Sequence, residues 1–270
     1  MNANYFISII FFFAIPLYSL AQRDTSFKLI KTYNGDIADA VIDNLDDIYI
    51  ISSAGQIKKF TPSGDSVFYN QVKKYGRLYT LDVTNPLKLL LFYKDYSTIV
   101  ILDRYLSSIT SIDLPKNSIL QPSAIGLSYD NNIWVFDEYD SKLKKIDMQG
   151  NKLLETSDFR SIFNHTISPQ KIINDNGFVY LADTANGVLV FDNYGSFKKK
   201  ILVKNWQSIA INSNYVISTN NETVSFYNTT TFLQTDRRMP FFKPYIHSYT
   251  SANKLITFSS DTLNVYLHRY

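Results

Sequence analysis

The chain of 270 residues carries 27 basic and 24 acidic side chains and no cysteine. A nearly balanced charge of +3 argues against a nucleic-acid-binding protein, which normally presents a concentrated basic stripe. Without disulfides, the fold must be stabilised by a hydrophobic core, and a chain of this length can build one. The 20 Tyr and 19 Phe residues favour β-strands.

The N-terminal segment predicts export. Residues 1–21 contain no charged side chain and include an apolar run over residues 5–17. This run is short for a bilayer span, and residues 19–21 (Ser-Leu-Ala) have the small-x-small pattern that signal peptidase requires. We predict a signal peptide at 1–21, a mature start at Gln22, and a single domain over 22–270 that is periplasmic, extracellular or on the cell surface. An uncleaved signal anchor is the alternative, because the n-region lacks a basic side chain.

A strand, a turn and a second strand recur along the chain. The clearest copy runs over residues 176–195, and residues 131–150 repeat it. The residues that follow the second strand are spaced by 42, 44, 45 and 36 positions, and they are Thr61, Asp103, Asp147, Asp192 and Asn228. Short strands at this period, without a convincing helix, are typical of β-propellers. We therefore predict an all-β, six-bladed β-propeller, with an irregular β-sandwich as the alternative.

The two ends of the repeat array predict how the ring closes. The last unit has room for three strands, at residues 247–250, 254–258 and 263–267, and lacks its outermost one. Residues 27–33 form an alternating strand that precedes the first complete unit. We predict that this N-terminal strand completes the last blade and covers its open edge, which favours a monomer.

The repeats resemble those of NHL-type six-bladed propellers in residues 133–150 and 181–195. In that family an apolar strand ends in Ala-Asp or a similar pair, an Asn-containing turn follows, and a second apolar strand leads to a Gly turn. Ala182-Asp183-Thr184 with Asn186 matches best, whereas Val188 stands where the family usually has a basic residue. The resemblance implies the fold and no single activity, because propellers host lactonases, quinone-dependent dehydrogenases, lyases and binding modules.

Asp137 and Asp183 occupy the same register of two repeats. Carboxylates can ligate metals, but a residue that recurs from blade to blade more often accepts hydrogen bonds from the tight turn that follows it. The same interpretation applies to Asp103, Asp147 and Asp192, which lead into the next turn. We therefore expect all five to be structural.

The central channel is the place where a propeller of the lactonase type would hold a metal. The sequence offers six polar residues near the starts of the inner strands, and they are Asp39, Asp82, Ser123, Gln170, Ser208 and His247. They include few acids and no Glu, whereas a hard cation needs several converging oxygens. We assign no catalytic residue, no metal and no cofactor, and we keep Asp39, Asp82 and His247 as channel candidates. For His247 a structural role is the alternative.

Aromatic residues give the stronger indication of a binding surface. Phe241, Phe242 and Tyr245 lie in the last inter-blade connection, shortly after Arg237 and Arg238. Aromatic and Arg side chains are typical anchors of protein interfaces. The alternative is that these rings fill the space between the last and first blades. The connection at residues 158–165, with two Phe residues, has the same two interpretations.

These observations favour a non-enzymatic propeller that binds a protein partner, for instance as an accessory subunit of a cell-envelope assembly. They predict no nucleic-acid partner and no stable membrane insertion. The alternative is a small-molecule-binding or enzymatic propeller, such as a lactonase-like hydrolase, with its site at the central channel.

Overall fold

Six four-stranded antiparallel sheets contain all the strands that the structure describes. The structure is a computed structural model that describes residues 27–69, 74–220, 223–239, 247–251 and 253–268. The first strands of neighbouring sheets contact one another around a closed ring, so each sheet is a blade and its first strand lines the central channel. The predicted six-bladed, all-β propeller is confirmed.

The strands of each blade follow the chain from the channel outward, after an initial strand β1 (Phe27–Asn34). Blade I consists of β2 (Asp39–Ile42), β3 (Ile48–Ile51), β4 (Ile57–Phe60) and β5 (Ser66–Tyr69). Blade II consists of β6 (Thr80–Asn85), β7 (Lys88–Tyr93), β8 (Thr98–Asp103) and β9 (Ser108–Asp113). Blade III consists of β10 (Pro122–Leu127), β11 (Ile133–Asp137), β12 (Lys142–Ile146) and β13 (Lys152–Glu155).

The second half of the ring repeats this plan. Blade IV consists of β14 (Lys171–Asp175), β15 (Phe178–Asp183), β16 (Gly187–Asp192) and β17 (Phe197–Ile201). Blade V consists of β18 (Ser208–Asn212), β19 (Tyr215–Thr219), β20 (Thr223–Asn228) and β21 (Gln234–Arg238). Blade VI consists of β22 (His247–Thr250), β23 (Lys254–Phe258), β24 (Thr262–His268) and β1.

The closing blade joins strands from both ends of the ring. β1 pairs antiparallel with β24, so that Phe27 lies opposite His268 and Asn34 lies opposite Thr262. This pairing covers the edge of β24 that would otherwise be open to another chain. The predicted closure of the last blade by an N-terminal strand is therefore confirmed.

Apolar side chains fill the spaces between neighbouring blades. Each of six buried clusters draws its members from two adjacent blades, so the clusters follow one another around the ring. The second strand of a blade is covered from both sides, and β11 is accordingly buried at every residue. Its sequence, Ile-Trp-Val-Phe-Asp, lacks the alternation of apolar and polar residues that is typical of a strand with one solvent-exposed face.

Helical structure in the described residues is limited to α1 (Phe159–Phe163) and to 3₁₀ turns at Lys94–Tyr96 and Pro115–Asn117. In the ranges that the structure describes, no helix has the length and apolarity to cross a membrane. Phe159 is fully buried and stacks on Phe191, with ring centroids 4.9 Å apart. Of the two interpretations of the connection at residues 158–165, a binding surface or a filling of the space between blades, the structure supports the second for Phe159.

The repeated Asp residues hold turns. Asp147 Oδ1 accepts hydrogen bonds from the N–H groups of Gln149 and Asn151, at 2.9 and 2.8 Å. Asp192 Oδ1 receives the equivalent pair from Tyr194 and Ser196, both at 2.9 Å. One carboxylate oxygen thus satisfies two backbone donors of a tight turn, which is why the residue recurs.

Asp137 and Asp183 fix the connections that lead into their own blades. Asp137 Oδ1 accepts from the Gln121 N–H at 2.9 Å, and Asp183 Oδ2 accepts from the Ser168 N–H at 2.9 Å. Burial opposes ionisation of Asp183, but hydrogen bonds from Asn186, Ser168 and Ala185 hold the pKa of its carboxyl below the usual range. These contacts support the structural interpretation of both residues.

Candidate functional site in the central channel

The central channel widens into a cavity at each end. The Asp39 cavity lies where the inner strands begin, has a volume of about 790 Å³, and is lined by Asp39, Arg77, Tyr79, Gln207, His247 and Ser248, among others. The Asp82 cavity lies where the inner strands end, has a volume of about 550 Å³, and is lined by residues that include Asp82, Lys171, Asn174, Asp175, Asn212 and Tyr249. Both volumes fall within the range of small-molecule sites, about 300 to 1,000 Å³.

The fold places the polar lining of the Asp39 cavity by strand register. Asp39 and His247 are the first residues of β2 and β22, which are neighbours in the ring. Tyr79 and Gln207 directly precede β6 and β18, and each donates its backbone N–H to the second strand of its blade. These hydrogen bonds extend the sheets to the rim of the cavity. The side chains that line the cavity are therefore attached to backbone that the sheets hold in place.

Asp39 is exposed to the cavity, and the surrounding blades lower the solvation of its carboxyl group. Burial raises the pKa of Asp39 above its usual range, while the Ala40 N–H and the charges of His247, Lys171 and Arg77 oppose the rise. The Ala40 N–H donates to Asp39 Oδ1 at 2.8 Å. A poorly solvated carboxylate of this kind gains from a cation or a further hydrogen-bond donor.

Lys171 is held by the channel wall. Its Nζ donates to the carbonyl oxygen of Ile209 at 3.0 Å and lies 4.8 Å from the centroid of the Tyr249 ring. These contacts join blades IV, V and VI across the channel. Lys171 therefore influences Asp39 through its charge, while its ammonium is engaged elsewhere.

Asp82 lines the opposite cavity from Asp39, because it is the third residue of β6 and not the first. Its Oδ2 accepts the Leu127 N–H of the next blade at 2.7 Å, and its Oδ1 accepts the Thr84 N–H at 2.8 Å. Asn174 and Asp175 make comparable bonds to the neighbouring blades. In these contacts the Asp82 carboxylate ties two blades together.

The inner strands of blades III and IV approach each other closely beside the channel. A Cβ atom added to Gly126 of β10 would lie 2.5 Å from the carbonyl oxygen of Ile172 in β14. The two backbones therefore touch here without an intervening side chain, and only glycine permits that distance. The residues that line the Asp39 cavity come from the other side of the ring, from blades I, II, V and VI.

His247 borders the Asp39 cavity and packs its ring on Phe258, with 5.6 Å between centroids. In the part of the chain that the structure describes, no group of three or more His, Cys, Asp or Glu side chains is placed to hold a metal ion. The three channel candidates are thus divided between two cavities. Arg77 and Tyr79 were not among them, since they lie in a connection without periodic sequence.

The residues predicted to bind a partner are only partly described. Phe241, Phe242 and Tyr245 lie outside the described residues. Arg237 and Arg238 end β21, the outer strand of blade V, and the Arg237 guanidinium lies 5.4 Å from the Phe226 ring centroid. Arg238 is exposed.

Comparisons with known proteins show the fold. No family model matches the chain, and no curated protein sequence does. The solved structure of virginiamycin B lyase from Staphylococcus aureus is similar at a TM-score of 0.60 and 12% identity, over 90% of this chain and 100% of that chain. The WD40 domain of Neurospora crassa Pan2 is similar at a TM-score of 0.59 and 12% identity, over 86% of this chain and 79% of that chain.

A third structure, BBS1N in complex with ARL6DN, has a TM-score of 0.58 and 10% identity, over 90% of this chain and 97% of that chain. One of these three neighbours is a lyase, one is a WD40 domain and one is described in a complex with another protein. At such low identity they establish that the chain is a β-propeller, and they carry no activity over to it.

Proposed function

We propose that this chain is an exported, monomeric and non-enzymatic propeller with NHL-type repeats that binds a protein partner in the periplasm or at the cell surface. An accessory role in an envelope assembly fits this location. The neighbouring BBS1N structure, described in complex with ARL6DN, supports the use of such a fold for protein interaction. The proposal includes cleavage of residues 1–21 and no nucleic-acid partner.

The observation that carries the proposal is an apolar and basic surface on the outer side of blades IV and V. Phe232 and Leu233, in the turn before β21, are exposed by 67% and 69%. Lys199 of β17 donates to the Thr229 carbonyl oxygen at 3.1 Å, and its Nζ lies 5.8 Å from the Phe232 ring centroid. We call Phe232, Leu233, Lys199 and Arg238 the blade V edge.

The composition of the blade V edge fits an acidic partner surface. Phe232 and Leu233 are adjacent in the chain, Lys199 of β17 lies over the Phe232 ring, and Arg238 stands at the far end of β21. Aromatic residues with Arg are the usual anchors of protein interfaces. The basic strands also carry little risk of pairing edge to edge with a second copy, because like charges would face each other. We therefore expect a partner that contributes Asp or Glu around an apolar centre.

The experiment compares two matched double variants in capture of the partner from native envelope extract. Phe232→Ser with Leu233→Ser should lower partner affinity by on the order of 2 kcal/mol, which is the loss expected for interface anchors. The control, Phe68→Ser with Ile109→Ser, alters residues exposed by 60% and 57% on blades I and II. Equal capture by both variants would contradict the proposed surface.

The segment around Phe242 and Tyr245 remains part of the proposal as a sequence-based prediction. Phe242→Ala with Tyr245→Ala should reduce capture by a similar amount while leaving the melting temperature nearly unchanged. A loss of several kcal/mol of stability would instead support the core interpretation of these rings. N-terminal sequencing of the exported protein tests cleavage before Gln22.

The Asp39 cavity favours a second candidate function, a small-molecule-binding or enzymatic propeller with a site at the central channel. Its volume of about 790 Å³ and its mixture of charged and apolar lining residues support this candidate. A lactonase-like hydrolase belongs to the same candidate. Calorimetric titration of the purified chain with candidate ligands and with Ca²⁺ separates it from a pure interaction module.

A further inference from the structure

One acidic side chain, one guanidinium and one imidazole, each from a different one of three adjacent blades, face the Asp39 cavity. Asp39 belongs to blade I, Arg77 precedes the first strand of blade II, and His247 begins blade VI. The one carboxylate therefore lies between two groups that can bind an anion. The negative charge of Asp39 and the positive charge of Arg77 therefore lie at different places on the same cavity wall.

The Asp39 carboxylate lacks a direct cationic partner. Within the described residues, Asp39 accepts a hydrogen bond from the Ala40 N–H, and no ion pair joins it to Arg77 or Lys171. The Lys171 ammonium is engaged with the Ile209 carbonyl oxygen and the Tyr249 ring. A cationic amine in the cavity would give the Asp39 carboxylate an ionic partner and a charge-assisted hydrogen bond.

Arg77 offers the complementary half of the site. Its side chain is exposed to the cavity, and among the described residues its guanidinium makes no hydrogen bond or ion pair. A guanidinium presents a rigid fork of donors that matches a carboxylate with two parallel hydrogen bonds. His247 borders the cavity on the other side of Asp39, and its ring packs on Phe258.

The remaining lining sets the size and the apolar character of the ligand. Ile51, Leu78 and Phe258 contribute apolar surface, while Gln207 and Ser248 contribute hydrogen-bonding groups. The Ser248 hydroxyl donates to Thr219 Oγ1 at 2.8 Å, so this side of the cavity is fixed between blades V and VI. A volume of about 790 Å³ exceeds what one small amino acid fills and suits a ligand of a few residues.

We propose that the Asp39 cavity binds a short peptide or a similar amino-acid derivative, with its ammonium on Asp39, its carboxylate on Arg77, and an apolar side chain on Ile51 and Phe258. This inference rests on the second candidate function and names its ligand class. Free peptides and free amino acids share these two charged ends, and the cavity volume favours the peptide.

The test is isothermal titration calorimetry of the chain from residue 22 to 270 with four probes. These are the tripeptide Ala-Phe-Ala with free ends, its N-acetylated form, its C-amidated form, and free phenylalanine. The free tripeptide should bind, and blocking either end should weaken binding by about tenfold or more, since each block removes one charge-assisted contact. Phenylalanine that binds as tightly as the tripeptide would identify a free amino acid as the source of the two charges.

Variants assign each end of the peptide to one residue. In Arg77→Gln the C-amidated and free tripeptides should bind equally, and in Asp39→Asn the N-acetylated and free tripeptides should bind equally. Arg104→Gln and Asp113→Asn are matched controls, because these residues line neither cavity and their replacement removes the same charges. Both controls should keep the tenfold preference for free ends.

Two results would overturn the inference. One is a folded wild-type chain that binds none of the four probes at millimolar concentration, and the other is binding that is indifferent to both end blocks. A neutral compound that binds the wild-type chain but not Asp39→Asn would overturn the peptide assignment and leave the second candidate function standing. Near-ultraviolet circular dichroism of every variant establishes that a lost affinity does not reflect a lost fold.

Discussion

The imidazole of His268 packs against the Phe226 ring, with 5.4 Å between ring centroids and the planes tilted by 57°. The centroid of the Phe27 ring lies 6.3 Å from the centroid of the same imidazole. His268 therefore contacts blade V and β1 from the last strand of the ring. Burial lowers the pKa of His268 to about 4, although the nearby backbone of Ser251 and Lys254 opposes the shift.

Acid should weaken the closing blade through His268. The pKa of His268 in the folded state, about 4, is below its usual value of 6.5, so the unfolded chain takes up the proton first. The contribution of His268 is complete above pH 6.5 and is lost as the pH falls toward 4, by about 3 kcal/mol in total. Urea unfolding across this range should show a shallower pH dependence for His268→Gln than for the wild type. Parallel curves would contradict the prediction.

Removal of the N-terminal strand should open the ring. Deletion of residues 22–35 takes away β1 and leaves β24 with an unpaired edge, so we expect the melting temperature to fall by about 10 °C or more. Deletion of residues 22–26 is the matched control, because it leaves β1 intact. Differential scanning calorimetry that finds the same melting temperature for both deletions would show that closure contributes little.

Loss of Asp137 should be costly because it leaves a buried ammonium short of a partner. Lys144 Nζ lies 2.7 Å from Asp137 Oδ2 and 2.8 Å from Asp140 Oδ2, and both Lys144 and Asp137 are buried. Burial acts to lower the pKa of Lys144, but the two carboxylates raise it above its usual value. Asp137→Ala should cost about 3 kcal/mol in the free energy of unfolding.

The control for this prediction is an exposed ion pair. The side chains of Lys116 and Asp113 are 3.1 Å apart and keep 80% and 45% of their surface exposed. Lys116→Ala should change the free energy of unfolding by less than about 1 kcal/mol. Chemical denaturation that gives similar losses for both variants would show that burial of the Asp137 pair is not what makes it important.

Gly126→Ala should strain the contact between blades III and IV. The new Cβ would lie 2.5 Å from the Ile172 carbonyl oxygen, and two inner strands cannot both move without disturbing their blades. We expect a loss of about 2 kcal/mol, typical of overpacking. Gly177→Ala has open space around its Cβ and only the cost of a positive φ, about 1 kcal/mol. Denaturation curves in which Gly177→Ala loses more would contradict this steric explanation.

The six-bladed ring could be predicted from the sequence because each blade repeats the same order of strands and turns. Asp147 and Asp192 recur because the turns after the third strands of blades III and IV need the same acceptor, and the spacing of such turns predicted the number of blades. Closure by β1 could be predicted because one strand precedes the first complete repeat, while the last repeat has only three strands. Local periodicity and strand counting were sufficient for the fold.

The cavities could not be predicted in the same way, because they depend on register and on connections. Asp82 was expected near a strand start, but β6 begins at Thr80 and so turns Asp82 toward the opposite end of the channel from Asp39. Arg77 lies in a connection without periodic pattern, and Lys171 reaches its partners through a long side chain. Residues of this kind come together only through the tertiary structure.

The pairing of β1 with β24 sets an order of assembly for the molecule. The hydrogen bond from Thr32 Oγ1 to Asn264 Oδ1, at 2.8 Å, joins residues 232 positions apart, so β1 has no partner until β24 has been synthesised. Contacts of such large sequence separation form late in folding, since a long loop must close before they are made. Until then the exposed Lys28 and Lys31 hinder β1 from adding to the outer strand of another blade or of another nascent chain.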